Sequence, residues 1–300
     1  MRTSDSDFLR HQLSEAVWAQ WTTLGVLGAT PMRESRCIDP EALVWLTFAR
    51  DVADARLIDA ARDWLALNKH LVSVHRLRNI FGDDRTSLEP VMAALRGNPD
   101  RPKPRFKTAA KAQAPDPMVP ANLAMRLRLL MDAGVRSEVV RYLITRRGHG
   151  EDAQAVADAA MFAKRNVNDT LLSLVRARVV AESWAGNRRV FSLDQERWCA
   201  FIDLELASIP GYMPWIKLFV ASTAILEWLE ADERATETRY LRASGARSLV
   251  TGIQPNLTAS GVDGPVPGPL AEAFLVPFDA LVARVADTVV PQIDVEAHAV

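Results

Sequence analysis

Six prolines crowd into one stretch of this chain: Pro99, Pro102, Pro104, Pro115, Pro117 and Pro120 lie between Gly97 and the end of the run, with few apolar residues among them. Proline lacks an amide donor and fixes φ, so no regular helix or strand passes through. Residues 97–120 therefore read as a basic linker that separates a region before it from a region after it. Its Arg101, Lys103, Arg105 and Lys107 suit a solvated tether, and could also track a phosphate backbone. The chain has 300 residues, more than the roughly 100–200 of one domain. At 49% hydrophobic and 24% charged residues, it has the composition of a folding globular protein.

Before the linker, residues 1–96 read as a helical amino-terminal domain. Phe8, Leu13, Val17, Trp18 and Trp21 fall at helical spacing. Asp39 before Pro40 is an N-cap followed by an N1 proline, which starts a helix through Phe48. Leu57, Ile58, Ala61, Trp64 and Leu65 mark another helix, and residues 71–81 a short further one. After the linker, residues 121–198 carry the order helix, helix, helix, helix, strand, strand. Residues 199–300 read as an acidic helical domain for dimerisation or sensing, with helices over 215–229 and 269–289. The Gly-, Pro- and Ser-rich residues 245–268 between these read as irregular. The predicted fold class is mainly α with one β hairpin.

Charge is unevenly spread. The net charge is −2 over residues 1–95, +4 over 96–120, +4 over 121–198 and −7 over 199–300, for −1 overall. A polyanion meets local charge, so the basic middle is the informative part. Cys37 and Cys199 are far apart and the five histidines show no ligand spacing, so neither a disulfide framework nor a metal site is expected. The polar amino terminus lacks a signal core, and the apolar run 213–229 is broken by Lys217, Ser222, Thr223 and Glu227. A cytoplasmic protein without a membrane span follows as the expectation. There is no phosphate-binding glycine fingerprint, nucleophile elbow or His-Glu-x-x-His, and Gly82-Asp83-Asp84 reads as a polar turn. No enzyme activity and no cofactor are expected.

The basic middle also carries the most specific chemistry. Val135, Val139, Tyr142 and Leu143 give one helix, which Gly148 and Gly150 end; Asp152 caps a second, with Val156, Ala157 and Ala160 as a small apolar face. A third opens at Lys164, Arg165 and Asn166 and turns Val167, Leu171, Leu174 and Val175 inward, leaving Lys164, Arg165, Asn168 and Asp169 outward. Arginine can bond guanine edges bidentately, asparagine can do so with adenine, and free amides at a helix start suit phosphate. Residues 179–184 and 188–193 then form two strands around Gly186-Asn187, with Arg188 and Arg189 beyond the tip placed to reach a flanking groove or phosphates. Arg126 and Arg128 read as solvated helix positions.

In this order of elements, residues 135–193 resemble the winged-helix transcriptional regulators of bacteria. The matching words are Glu138-Val139-Val140-Arg141-Tyr142-Leu143, Ala155-Val156-Ala157, Lys164-Arg165-Asn166-Val167-Asn168-Asp169-Thr170-Leu171 and Arg188-Arg189-Val190-Phe191-Ser192-Leu193. The resemblance implies a homodimer that binds double-stranded DNA through Lys164, Arg165, Asn166, Asn168, Asp169, Arg188 and Arg189. This chain departs from the pattern at Met161 and Arg178, where such proteins often have glycine, and at Ala163, where they often have a hydroxyl cap. Ile38-Asp39-Pro40-Glu41-Ala42-Leu43, Trp64-Leu65 and residues 71–78 resemble a helical region of regulators encoded beside nucleotidyltransferase-type toxins. That likeness implies an alternative, an antitoxin-like module that holds a protein partner and represses its own operon.

Overall fold

The computed structural model describes residues 5–28, 31–32, 36–97, 112–233, 238–264 and 271–290. The linker cations Arg101, Lys103, Arg105 and Lys107 lie outside the described residues. The protein is mainly helical, with one two-stranded antiparallel sheet. It divides into two compact units: Trp18–Met213, and Met1–Val17 with Pro214–Val300. Both amino- and carboxyl-terminal boundaries differ from those read in the sequence. Residues 18–96 and 121–198 belong to one unit, and the carboxyl-terminal unit begins at Pro214 and takes in the chain's first residues.

The larger unit opens with the end of α1 (Asp5–Thr23), followed by α2 (Pro40–Ala49), α3 (Ala55–Leu67), α4 (Val74–Phe81) and α5 (Arg85–Arg96). Local chemistry sets the starts. Asp39, Asp54, Ser73 and Asp84 each accept an amide from the first turn of the helix they precede. The Asp83-Asp84 pair therefore belongs to a turn whose second carboxylate caps α5, a helix of the amino-terminal region that the sequence reading did not pick out. Trp21 and Trp64 meet edge to face with centroids 5.4 Å apart. Their indole N–H groups donate to Thr47 Oγ1 and to the Leu24 carbonyl at 2.9 and 2.6 Å, so these buried rings are fully partnered.

After the linker come α6 (Leu123–Met131), α7 (Val135–Thr145), α8 (Ala153–Ala160), α9 (Lys164–Arg176), β1 (Ala181–Ala185), β2 (Arg188–Ser192) and α10 (Gln195–Phe201). Backbone bonds tie this half to the earlier helices. The Ile38 amide donates to the Ala121 carbonyl at 2.9 Å, and the Cys37 amide to the Gly211 carbonyl at 3.1 Å.

The strongest tie is ionic. Asp39 and Glu41 of the α2 start, Arg76 of α4, Arg128 of α6, and Glu138 and Arg141 of α7 form one buried cluster of three acids and three arginines. Arg128 bonds Glu41 through both terminal nitrogens at 2.7 Å, Glu138 at 2.6 Å and the Leu71 carbonyl at 2.7 Å. Arg76 holds Asp39 at 2.6 Å and Glu41, and Arg141 lies 2.8 Å from Glu138. The expectation that Arg128 is solvated is overturned, because two carboxylates and a carbonyl replace its water. Arg126, on the neighbouring face, is half-buried.

The smaller unit combines residues 5–17 of α1 with α11 (Trp215–Glu233), α12 (Arg239–Ala259) and α13 (Leu275–Val289). Here the irregular reading of residues 245–268 is corrected over 245–259, since α12 runs through Gly245, Gly252 and Pro255. Gly245 sits against the Trp228 indole of α11, where a Cβ would come within 3.2 Å of Nε1. The glycine that suggested a loop instead permits close helix packing. No helix among the described residues is long and apolar enough to cross a membrane.

Candidate nucleic-acid interface

α7, α8 and α9 pack around Val139, Leu143, Val156, Ala160, Val167 and Leu171, each at most 1% exposed. The Asp152 carboxylate caps α8, accepting from the Gln154 and Ala155 amides at 2.9 Å. α8 ends at Met161, whose φ of 57° lies in the left-handed region. This is one of the two positions where the sequence departs from the winged-helix pattern by lacking glycine; Arg178, also at φ 57°, is the other. The chain thus adopts the glycine-like conformation at both without the glycine, at a steric cost of roughly 1–2 kcal/mol per residue.

α9 begins after Ala163, which offers no side-chain acceptor. The first-turn amides of α9 are therefore left to solvent or to a ligand. Lys164, Arg165, Asn166 and Asp169 are exposed, Asn168 is half-buried, and Val167, Leu171 and Leu174 turn inward. The inward positions recur at i, i+4 and i+7, which fixes the outward ones, so the helical spacing alone places Lys164, Arg165 and Asn166 in one exposed turn.

β1 and β2 pair from Ala181↔Ser192 to Ala185↔Arg188, and Gly186 in the turn has φ 60°. The hairpin is anchored at its base. Phe191 is fully buried, and its amide and carbonyl exchange bonds with Glu151 at 2.8 and 2.9 Å. Gly150 lets the α7–α8 connection approach, since a Cβ there would stand 3.2 Å from Val190 Cγ2. The two arginines differ. The Arg188 side chain is 79% exposed, with its guanidinium 3.7 Å from Asp152. Arg189 Nε lies 3.1 Å from Glu182, and the guanidinium sits over the indole of cross-strand Trp184, 5.6 Å from its centroid. Trp184 is 64% exposed, a solvent-facing aromatic that the sequence reading left inside a strand.

The turn between α8 and α9 is buttressed by α4, which the sequence reading assigned to a separate domain. Arg76 Nε donates to the Ala160 carbonyl at 2.9 Å, Asn79 Nδ2 to the Met161 carbonyl at 2.8 Å, and His75 stacks on Phe162 at 5.1 Å. Arg78, three residues after His75 on the same helix, is exposed. The spacing His75-x-x-Arg78-Asn79 on one helix face was the available signal. Electrostatics keep the buttress charged. Burial raises the Asp39 and Glu138 carboxyls, but Arg76 and Arg141 beside the first, and Arg141, Arg76 and Arg128 around the second, more than offset this and hold both below the ordinary carboxylate range.

Lys164, Arg165, Asn166, Asn168 and Asp169 are thus on one helix and Arg188 and Arg189 on one hairpin, joined through a shared core. No family model, no curated protein and no solved structure matches the chain.

Proposed function

We propose that this protein is a sequence-specific regulator of transcription that binds double-stranded DNA through a winged helix-turn-helix, rather than an enzyme. α9 enters the major groove, Arg165 and Asn166 read base edges, and Lys164 and the first-turn amides of α9 hold phosphate. The hairpin lies along the flanking backbone or minor groove through Arg188, with Arg189 and Asn168 in supporting positions. The observation that carries this reading is the amino end of α9, uncapped by its own chain and exposed with three polar or cationic side chains, above a three-helix core that also fixes an arginine-bearing hairpin. Two such helices in a homodimer would address half-sites about one DNA turn apart. The acidic carboxyl-terminal unit is then assigned to dimer contacts or signal sensing.

Fluorescence anisotropy on genomic duplexes recovered with the full chain tests this. Affinity is expected to fall roughly 10³–10⁵-fold between 50 and 200 mM salt for about 6–10 phosphate contacts. Arg165→Ala with Asn166→Ala should relax base preference, at about 1–3 kcal/mol per bidentate contact. Arg188→Ala should weaken all duplexes alike. Unchanged affinity and preference in both variants would remove the assignment.

A further inference from the structure

Within the unit Trp18–Met213, a cavity of about 630 Å³ opens between the end of α6, the carboxyl half of α9, the start of β1 and α10. Leu130, Leu174, Val180, Trp198 and Phe201 give it a mostly apolar wall. Its volume falls in the roughly 300–1,000 Å³ range of small-molecule sites, which combine apolar lining with a few placed polar groups. Leu130 and Phe201 are 53% and 70% exposed, apolar surface that an apolar body seated here would remove from water.

Those polar groups are cationic. Arg178 and Arg197 line the cavity, and neither guanidinium has a hydrogen-bond or ion-pair partner among the described residues. The one acid in the wall, Asp194, accepts the Arg197 amide at 3.1 Å as the cap of α10, and the two arginines outnumber it. Three of the last four carbonyls of α9 are engaged too: Ser173 accepts from the Ala177 amide, Leu174 from the Val179 and Val180 amides, and Val175 from the Arg178 amide. A ligand entering this mouth meets two guanidinium groups against one carboxylate. Arg178 also holds its left-handed backbone at this edge, and such strain concentrates where a side chain serves a site.

We infer that this cavity binds a small organic anion, a carboxylate carried on an aliphatic or aromatic body. The body fills the apolar wall and the carboxylate bonds Arg178 and Arg197 in the bidentate manner guanidinium groups favour. The cavity is concave and of ligand size, whereas a stable homodimer needs about 800 Å² from each partner. Because its wall joins the end of α9 to the start of β1, an occupant sets the angle between helix and hairpin. That regulatory consequence rests on the DNA-binding reading; anion binding does not.

Isothermal titration calorimetry of the full chain with octanoate and 3-phenylpropanoate, each against its neutral primary amide, tests the site. The carboxylates are expected to bind one per chain, with the amides about tenfold weaker or more, the loss expected when a charge-assisted bond is replaced. Arg178→Gln combined with Arg197→Gln should weaken the carboxylates about tenfold or more and leave the amides unchanged. Ala181→Trp, which fills the cavity, should abolish both, with its thermal melt showing that the chain still folds. Absence of carboxylate binding, equal binding of the amides, or full retention of binding in the double variant overturns the inference. So does a solution dimer that Phe201→Glu dissociates, which would give the cavity to a second copy. Carboxylate binding by a chain that binds no duplex leaves this site standing and removes the regulator reading, and duplex binding without carboxylate binding does the reverse.

Discussion

Arg178 and Met161 hold backbone conformations that side chains with a Cβ resist. Both stand at φ 57° beside the proposed reading helix, one before it and one after it. The sequence reading already marked both positions, because the winged-helix pattern places glycine there. The conformation itself became visible only in the folded chain, since a residue's identity does not reveal its φ. Replacing Arg178 with glycine should relieve the steric conflict while adding backbone freedom to the unfolded chain. The net effect expected is a gain of up to about 1 kcal/mol, read as a rise in urea midpoint at unchanged slope. A loss of stability would mean that the arginine side chain contributes packing at this edge exceeding its strain.

At the scale of elements, the hairpin is anchored to the α7–α8 connection and α8 through Phe191. Its ring is fully buried, its backbone pairs with Glu151 and its strand packs on α8, so one residue fixes the base of the hairpin on the helical core. Phe191→Ala should cost about 3–5 kcal/mol through lost burial and the cavity left behind. Amide exchange in β1 and β2 should rise more than in α2 or α3, and uniform loss of protection would show that the hairpin is not a separable element. The elements themselves were largely legible. Helical periodicity and the capping aspartates predicted α2, α3, α7, α8 and α9 closely, and Gly186-Asn187 predicted the turn. α12 was missed for a definite reason: its residues 245–259 were read as irregular because Gly245, Gly252 and Pro255 are poor helix formers. Close packing of Gly245 on Trp228 turns that weakness into a fit, and only a partner helix reveals it.

Across the larger unit, the six-residue ion cluster joins α2, α4, α6 and α7. Buried pairs contribute little over an apolar replacement, but removing one member strands the others. Arg128→Met leaves Glu41 and Glu138 without their bridging cation and should cost about 3–5 kcal/mol in chemical unfolding; a cost below about 1 kcal/mol would mean that water reaches the cluster. The pH dependence follows from the depressed carboxyls. Asp39 and Glu138 sit below their ordinary values of 3.8 and 4.5. Their stabilisation is therefore fully present above those values and lost as pH falls through the lower folded ones. The melting temperature should stay level with respect to these groups above about pH 5 and fall steeply below pH 4, and Arg128→Met should show a shallower acid loss. An acid limb of equal steepness in wild type and variant would detach the cluster from it.

Sequence alone determined what acts within a few residues: the caps, the helical faces, the turn, and hence the exposed Lys164, Arg165 and Asn166 together with the arginines of the hairpin. The compact units and the partners of the charges were decided by the tertiary structure. Asp39 looked complete as an N-cap, and Arg128 looked like one more cation on a polar face. Each acquires its role from groups many tens of residues away, and electrostatic pairing in a dry interior depends on distance in space, which a local pattern does not encode.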